Sequence, residues 1–221
     1  MDIVIFGLDR LSALAAYVLV HDSEHRPVAF TVHERYISAN EFEGLPVIRF
    51  EDLERSFPPE RCAMLAPLGW RWMGELRSEI VRNGRSRGYR FISYVSSRAL
   101  IWPDLVVGDN CMIFDGVIVQ PFARIGENCI VRSGAMLSHD VELGDHSFVA
   151  ARAVVGGRAK IGDHCVLGMN STICSGVRIA PRSFIAAGAL VTVDTDIEGI
   201  YRGAPARRSR VPLEKLSSVG S

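Results

Sequence analysis

The chain has 221 residues, enough for one large or two small domains, and 25 basic residues balance 25 acidic ones. That balance speaks against a general nucleic-acid surface, and no apolar stretch approaches the ~20 residues needed to span a membrane. No secretory signal opens the chain and its five cysteines suggest no disulfide framework, so a cytoplasmic protein is expected.

Residues 1–90 read as a small α/β, Rossmann-like domain. DIVIF (2–6) is a buried strand, LSALAAYVL (11–19) a helix, PVAFTV (27–32) a second strand and LPVI (45–48) a short third one. FEDLERSF (50–57) is helical, CAML (62–65) strand-like, and GWRWMGELRSEIVRNG (69–84) starts in a turn and continues as helix. Alternating strands and helices with compact apolar strands predict a parallel sheet. The turn after the first strand runs Gly7-Leu8-Asp9-Arg10-Leu11-Ser12, so the dinucleotide fingerprint GxGxxG is missing. Asp9 fills the place where a second glycine would admit a pyrophosphate, and the second strand ends Val32-His33-Glu34, the wrong carboxylate position for a ribose. The helix start near Leu8–Ser12 still offers a place for a phosphate. A nucleotidyltransferase would need a loop of the LAAGxGxRM kind, and the chain offers IFGLDRLS.

YRFISYV (89–95) leads into a second texture, predicted to fill residues 91–198. From Val95 to Ile197 every sixth residue is aliphatic. No helix places residues six apart on one face, and an ordinary strand alternates every two. A period of six marks a coiled parallel sheet. Two residues before each aliphatic position stands a small or modest side chain, among them Cys111, Ala123, Cys129, Ala135, Ser147 and Cys165. The cysteines of that column read as buried filler. Gly108, Gly126, Gly144 and Gly162 are spaced by 18, with Ala180 in the fifth place, so one coil has three faces of six. Stacked coils bury a core that no single coil holds. His146 and His164, also 18 apart, join Asn110 and Asn128 in one corner column that reads as a structural ladder. Outward residues such as Phe114, Phe122, Met136, Phe148 and Met169 are expected to pack on neighbouring molecules. Residues 199–221 form a cap and tail.

The repeat resembles the hexapeptide-repeat family of left-handed parallel β-helices, and the left hand comes with that resemblance alone. RSGAMLSHDVELGDHSFVA resembles sugar-nucleotide acyltransferases of bacterial surface-polysaccharide (lipopolysaccharide) synthesis. The branch is similar to the sialic-acid O-acetyltransferases and bacillosamine-type N-acetyltransferases. The resemblance implies a general base at His139 and its acidic partner at Asp140. It also implies direct attack on acetyl-CoA by an amine or hydroxyl of a nucleotide-linked sugar, and a homotrimer with sites between adjacent β-helices. It makes Gly7, Ser12 and His33 candidates for gripping the sugar nucleotide in the N-terminal domain. An imidazole suits the proposed proton transfer. The run Gly203-Ala204-Pro205-Ala206-Arg207 resembles the GxPAK/R ending of acetyl-CoA users, with Arg207 and Arg208 adding charge for a CoA phosphate. Gly168, Gly188 and Ala189 leave room for a pantetheine arm and offer backbone amides to it. An amide of Gly156 or Gly157 is a candidate oxyanion donor.

Many members carry a second histidine nine residues after the first, where this chain has Phe148. O- and N-acylation stay open, as does the length of the acyl group. Two rivals remain: a non-catalytic β-helix scaffold, and a zinc enzyme of the carbonic-anhydrase kind. The latter needs a close histidine pair on one coil, which His139, His146 and His164 do not supply, so no metal is expected.

Overall fold

The computed structural model describes residues 1–203. In the N-terminal domain, β1 (Asp2–Phe6) pairs in parallel with β2 (Arg26–Val32) and β5 (Cys62–Leu65), and β2 pairs in parallel with β4 (Leu45–Arg49). A strand not anticipated from the sequence, β3 (Glu41–Phe42), turns back antiparallel on β4. Helix α1 (Arg10–Asp22) buries Ser12, Ala15, Ala16 and Leu19, one stripe at helical spacing. Short α2 (Leu53–Ser56) and longer α3 (Glu75–Ser86) complete the domain.

The rest is a three-sided parallel β-helix of two-residue strands. Its first sheet stacks Val106–Val107, Arg124–Ile125, Glu142–Leu143, Lys160–Ile161 and Arg178–Ile179. The second runs from Tyr94–Val95 through Met112–Ile113 and Phe148–Val149 to Ile200–Tyr201, and the third from Ile118–Val119 to Leu190–Val191. Registers such as Ile125↔Leu143 and Val131↔Val149 fix the coil at 18 residues. The aliphatic column from Ile113 to Val191 is buried together with the small column of Cys111, Ala135, Ala153 and Cys165. Each fully buried aliphatic contributes about 1.5–3 kcal/mol.

Corners follow one rule. The third residue after each aliphatic takes the left-handed conformation, and Asn110, Asn128, Asp140, His146, Arg158 and His164 do so with φ between 54° and 62°. Glycine serves the same place at 116, 134, 176 and 188. The glycines spaced by 18 have a different cause. A Cβ on Gly144 would lie 2.6 Å from the Gly162 carbonyl carbon in the next coil, so only hydrogen fits between coils.

The beat fails at both ends. Ile101 and Ile197 are exposed rather than inward. Past Val191 the chain skips two residues: Phe184 pairs with Ile200 and Ile185 with Tyr201, a spacing of 16. Tyr201 takes the place that Ile197 was expected to lead into.

The three faces differ. The first presents charge, with Lys160 bonded to Glu142 at 2.8 Å. The third presents Leu100, Ile118, Met136, Val154 and Leu190 to solvent, wholly or in part. The second is covered by the N-terminal domain, whose core continues into Met112, Phe114, Ile130, Phe148 and Val166. Phe114 and Phe148, expected to meet other molecules, are therefore buried within their own chain. Of the remaining residues so expected, Phe122 and Met169 are well exposed and Met136 is half-buried. The helix end of α1 is tied to the first coil through Asp22, which accepts from Tyr94 Oη at 2.7 Å, Ser96 Oγ at 2.9 Å and Ser97 N at 3.1 Å. The hydrogen bonds from Ser97 and Tyr94 hold the Asp22 carboxyl well below the usual carboxylate range.

Candidate active site

His139 and Asp140 stand at the corner between the third and first sheets. His139 is the second residue after Leu137 and Asp140 the left-handed third. The His139 backbone is held from both sides: its N–H donates to Gln120 Oε1 at 3.0 Å and its carbonyl accepts from Arg158 N at 2.9 Å. Its Nδ1 lies 2.8 Å from Asp140 Oδ2. A carboxylate only accepts, so Nδ1 carries a proton, and in the neutral imidazole Nε2 is the nitrogen with the lone pair. About half of each side chain is exposed. The ring lies on the next coil, where a Cβ on Gly157 would sit 2.5 Å from Nε2. Gly157 is thus the surface on which the imidazole rests, a link that only the 18-residue register reveals.

Backbone bonding corrects several expectations. The N–H groups of Gly156, Gly168, Gly188 and Ala189 donate to Ile173, Ile185, Met169 and Ala186 within the coils, so they are not open to a pantetheine arm or an oxyanion. Among the described residues the Gly157 N–H has no acceptor. Arg207 and Arg208, with the Ala204–Ala206 stretch, lie outside the described residues. Phe148 is not a degraded catalytic position at this corner, since it lies on the second sheet beneath the N-terminal domain.

A cleft of about 780 Å³ opens in the N-terminal domain, lined by Phe6, Gly7, His33, Tyr36, Trp70 and Trp72 among others. Gly7 and His33 are therefore brought together as expected, while Ser12 is fully buried beneath them. Its hydroxyl and N–H both donate to Asp9 Oδ1, at 2.9 and 2.8 Å. Asp9 is the N-cap of α1, and its carboxylate occupies the positive helix end that was expected to hold a phosphate. His33 packs edge-on against Phe6 and Phe50, and its Nδ1 lies 2.7 Å from Glu51 Oε1. The aromatic wall of Tyr36, Trp70 and Trp72 is not legible in the sequence, where the two tryptophans fall in the turn that leads into a helix. Neither His139 nor Asp140 lines this cleft.

The second histidine pair lies at the corner between the first and second sheets. Asn110 Nδ2 donates to Asn128 Oδ1 at 2.6 Å, and Asn128 Nδ2 donates to His146 Nδ1 at 2.9 Å. The His146 and His164 rings stack 4.6 Å apart. The ladder is real, and it also docks the N-terminal domain: Asn110 Oδ1 accepts from Ala66 N at 2.7 Å and His164 Nδ1 donates to Met73 O at 2.9 Å. Burial, and then the neighbouring His164, push the His146 imidazole below its usual value. Arg77 of α3 is buried against the same corner and meets carbonyls only. It donates to Asn128 O and His146 O at 2.9 Å and to Gly69 O at 3.1 Å. Burial pushes its pKa down to about 10, so it stays charged at neutral pH. Among the described residues, no group of three His, Cys, Asp or Glu could hold a metal ion. No helix there is long and apolar enough to cross a membrane.

Compared by sequence with curated proteins, the chain matches none. Solved structures do share its architecture across both domains. The acetyltransferase domain of PglB from Neisseria gonorrhoeae matches with a TM-score of 0.78 at 19% identity, over 88% of this chain and 93% of that one. PerB from Caulobacter crescentus, solved with CoA and GDP-perosamine, matches with a TM-score of 0.79 at 18% identity, over 92% and 98%. WeeI from Acinetobacter baumannii AYE aligns more loosely, with a TM-score of 0.59 at 16% identity over 94% and 99%. The architecture is the left-handed parallel β-helix of hexapeptide repeats, preceded by an α/β domain. The family described as bacterial transferase hexapeptide (six repeats) matches residues 104–139, 123–157 and 158–192. Residues 104–192 thus carry the repeat that defines the bacterial transferase hexapeptide model.

Proposed function

We propose that the chain is an acyl-CoA-dependent sugar acyltransferase that moves an acetyl group onto an amine or hydroxyl of a nucleotide-linked sugar. The observation that carries this reading is the His139 corner: Nδ1 committed to Asp140 at 2.8 Å, Nε2 free, and an unpaired Gly157 N–H beside it. The acceptor amine or hydroxyl attacks the thioester carbonyl carbon while Nε2 takes its proton. Asp140 steadies the imidazolium, and the Gly157 N–H donates to the developing oxyanion. Collapse breaks the C–S bond, and the departing CoA thiolate takes the proton back from Nε2. PerB, which shares the fold, was solved with CoA and GDP-perosamine, and a related Caulobacter structure is a histidine-to-alanine mutant of GDP-perosamine N-acetyl transferase with the same two ligands.

The N-terminal domain, 1–90, holds the acceptor in its cleft, and the β-helix that follows, through Ile200–Tyr201, carries the chemistry. Cleft and corner are separate on one protomer, which favours a homotrimer in which the cleft of one copy faces His139 of its neighbour. The apolar third sheet, with Leu190 64% exposed, supplies a surface for that association. Free thiols throughout the described residues suit a reducing cytoplasm.

The test is thiol release from acetyl-CoA with a panel of UDP-, dTDP- and GDP-amino sugars, on protein whose mass in solution is measured by light scattering. Transfer at a mass of three copies is expected. His139→Ala is expected to slow it by roughly 10²–10⁴-fold with CoA binding kept, the usual reach of a general base. Full turnover by that variant would refute the role.

A further inference from the structure

The segment Trp70–Gly74 carries three successive residues in the left-handed region: Trp72 at φ 50°, Met73 at 52° and Gly74 at 78°. Tryptophan and methionine adopt this conformation only at a cost, and two in succession need support. Strain of this kind persists where the surroundings over-determine it, and it concentrates at ligand clamps. Here the surroundings include the β-helix as well as the domain that contains the segment. His164 Nδ1 donates to the Met73 carbonyl at 2.9 Å. Gly74 approaches the His146 corner so closely that a Cβ would lie 2.5 Å from His146 O. The Trp70 ring packs 5.5 Å from that of Phe184 on the second sheet. The start of the segment is held by Arg77, which donates to the carbonyls of Leu68 and Gly69.

What this strap presents is aromatic and open. Trp70 is 46% exposed and Trp72 69%, and both line the cleft together with Tyr36. At the opposite wall the start of α1 is already filled by the Asp9 carboxylate, which repels a phosphate. The cleft therefore offers π-faces to a flat heterocycle and no helix end to a pyrophosphate.

We propose that the strap 70–74 is the nucleobase clamp of the acceptor cleft and that His164 is its positioning residue, acting from the β-helix through the Met73 carbonyl. This rests on the reading that the cleft receives a nucleotide-linked sugar. It gives the corner ladder a second task, since the column that stacks the coils also sets the angle of the indoles that meet the base.

Binding is read without turnover, by quenching of tryptophan fluorescence in the whole protein titrated separately with UDP, dTDP and GDP. Trp102, the remaining tryptophan, does not line the cleft and supplies a constant background. Trp72→Ala, at an exposed position, is expected to weaken the best of the three about tenfold, as loss of one stacking partner does. His164→Asn keeps a donor near the place of Nδ1 and should bind within about threefold of the wild type; His164→Gln moves the donor to the place of Nε2 and should bind about tenfold weaker. In steady state the His164→Gln effect falls on KM for the acceptor, while kcat and KM for acetyl-CoA stay within about twofold. Equal affinity in the two His164 variants, unchanged affinity in Trp72→Ala, or no saturable binding of any nucleoside diphosphate to the wild type would each overturn the proposal. Nucleotide binding without acyl transfer would instead sink the acyltransferase reading and leave the clamp. Transfer with affinities unmoved by the variants would do the reverse.

Discussion

Two corners of the same β-helix hold histidines, and they use them in opposite ways. His146 and His164 occupy the left-handed third place after the aliphatic residue, where side chains stack along the helix axis and are covered by the N-terminal domain. His139 stands one residue earlier, with the left-handed place given to Asp140, so its ring lies on a glycine and half of it faces solvent. A shift of one position within the hexapeptide separates an imidazole used for docking from one left free for a proton. What surrounds each corner agrees. One is closed by a buried guanidinium bonded to carbonyls, the other keeps an open N–H at Gly157.

The contrast can be broken first at its strongest hold. Arg77→Ala leaves the carbonyls of Asn128, His146 and Gly69 buried without their donor, and is expected to cost about 3 kcal/mol in urea unfolding, within the range for emptying one side of a buried charged network. A cost near zero would mean that the docked corner is not held as described. At the other corner, Gly157→Ala places a methyl where the His139 ring lies. Turnover should fall by about 10–100-fold through misplacement of the base, with the unfolding midpoint nearly unchanged. A large loss of stability with normal turnover would reverse the assignment of the two corners.

The smallest effect is a pH dependence confined to the docked corner. His146 Nδ1 accepts from Asn128, so a proton there would set donor against donor. Its folded pKa is lowered by burial, so between that value and the usual imidazole value near 6.5 the unfolded chain binds the extra proton. Stability contributed by His146 is therefore complete above that range and declines as pH falls through it. Glu127 and Asp145 nearby act in the opposite direction and keep the effect small. Hydrogen exchange of the corner and strap amides, compared between about pH 7.5 and 5.5, should show loosening there. Equal loosening at the His139 corner would remove the distinction.

Much of the β-helix was legible because it repeats. Aliphatic and small columns each carry one steric demand at a fixed interval, and chance does not sustain both. The catalytic candidates were legible as departures from that rhythm, His139-Asp140 above all. What was illegible depends on contacts between distant residues. Nothing local in Phe148 or Met112 says that a separate domain will cover them, and an outward aromatic on a solenoid reads equally as a surface for another molecule. The left-handed turn at Trp72 and Met73 is hidden for a related reason. Neither residue type signals positive φ, and the bonds that enforce it come from His164 and Gly74 against the His146 corner. Asp9 could have been read as an N-cap, since a carboxylate three residues before a serine at a helix start satisfies the helix's own amides.

The coil that skips two residues has a consequence for the molecule as a whole. A parallel β-helix ends in rows of backbone donors and acceptors, and an open row is a template on which another chain can continue the ladder. Here the last described turn carries Ile200–Tyr201 at a spacing of 16 rather than 18, and Tyr201 Oη accepts from the Asp196 N–H at 2.7 Å. The shortened segment also covers the edge of the first sheet: the Thr195 N–H donates to the Arg178 carbonyl at 3.0 Å, and the Arg178 N–H donates to Asp194 Oδ1 at 2.8 Å. Among the described residues, the broken count thus closes the edge of the first sheet with the chain's own backbone and side chains.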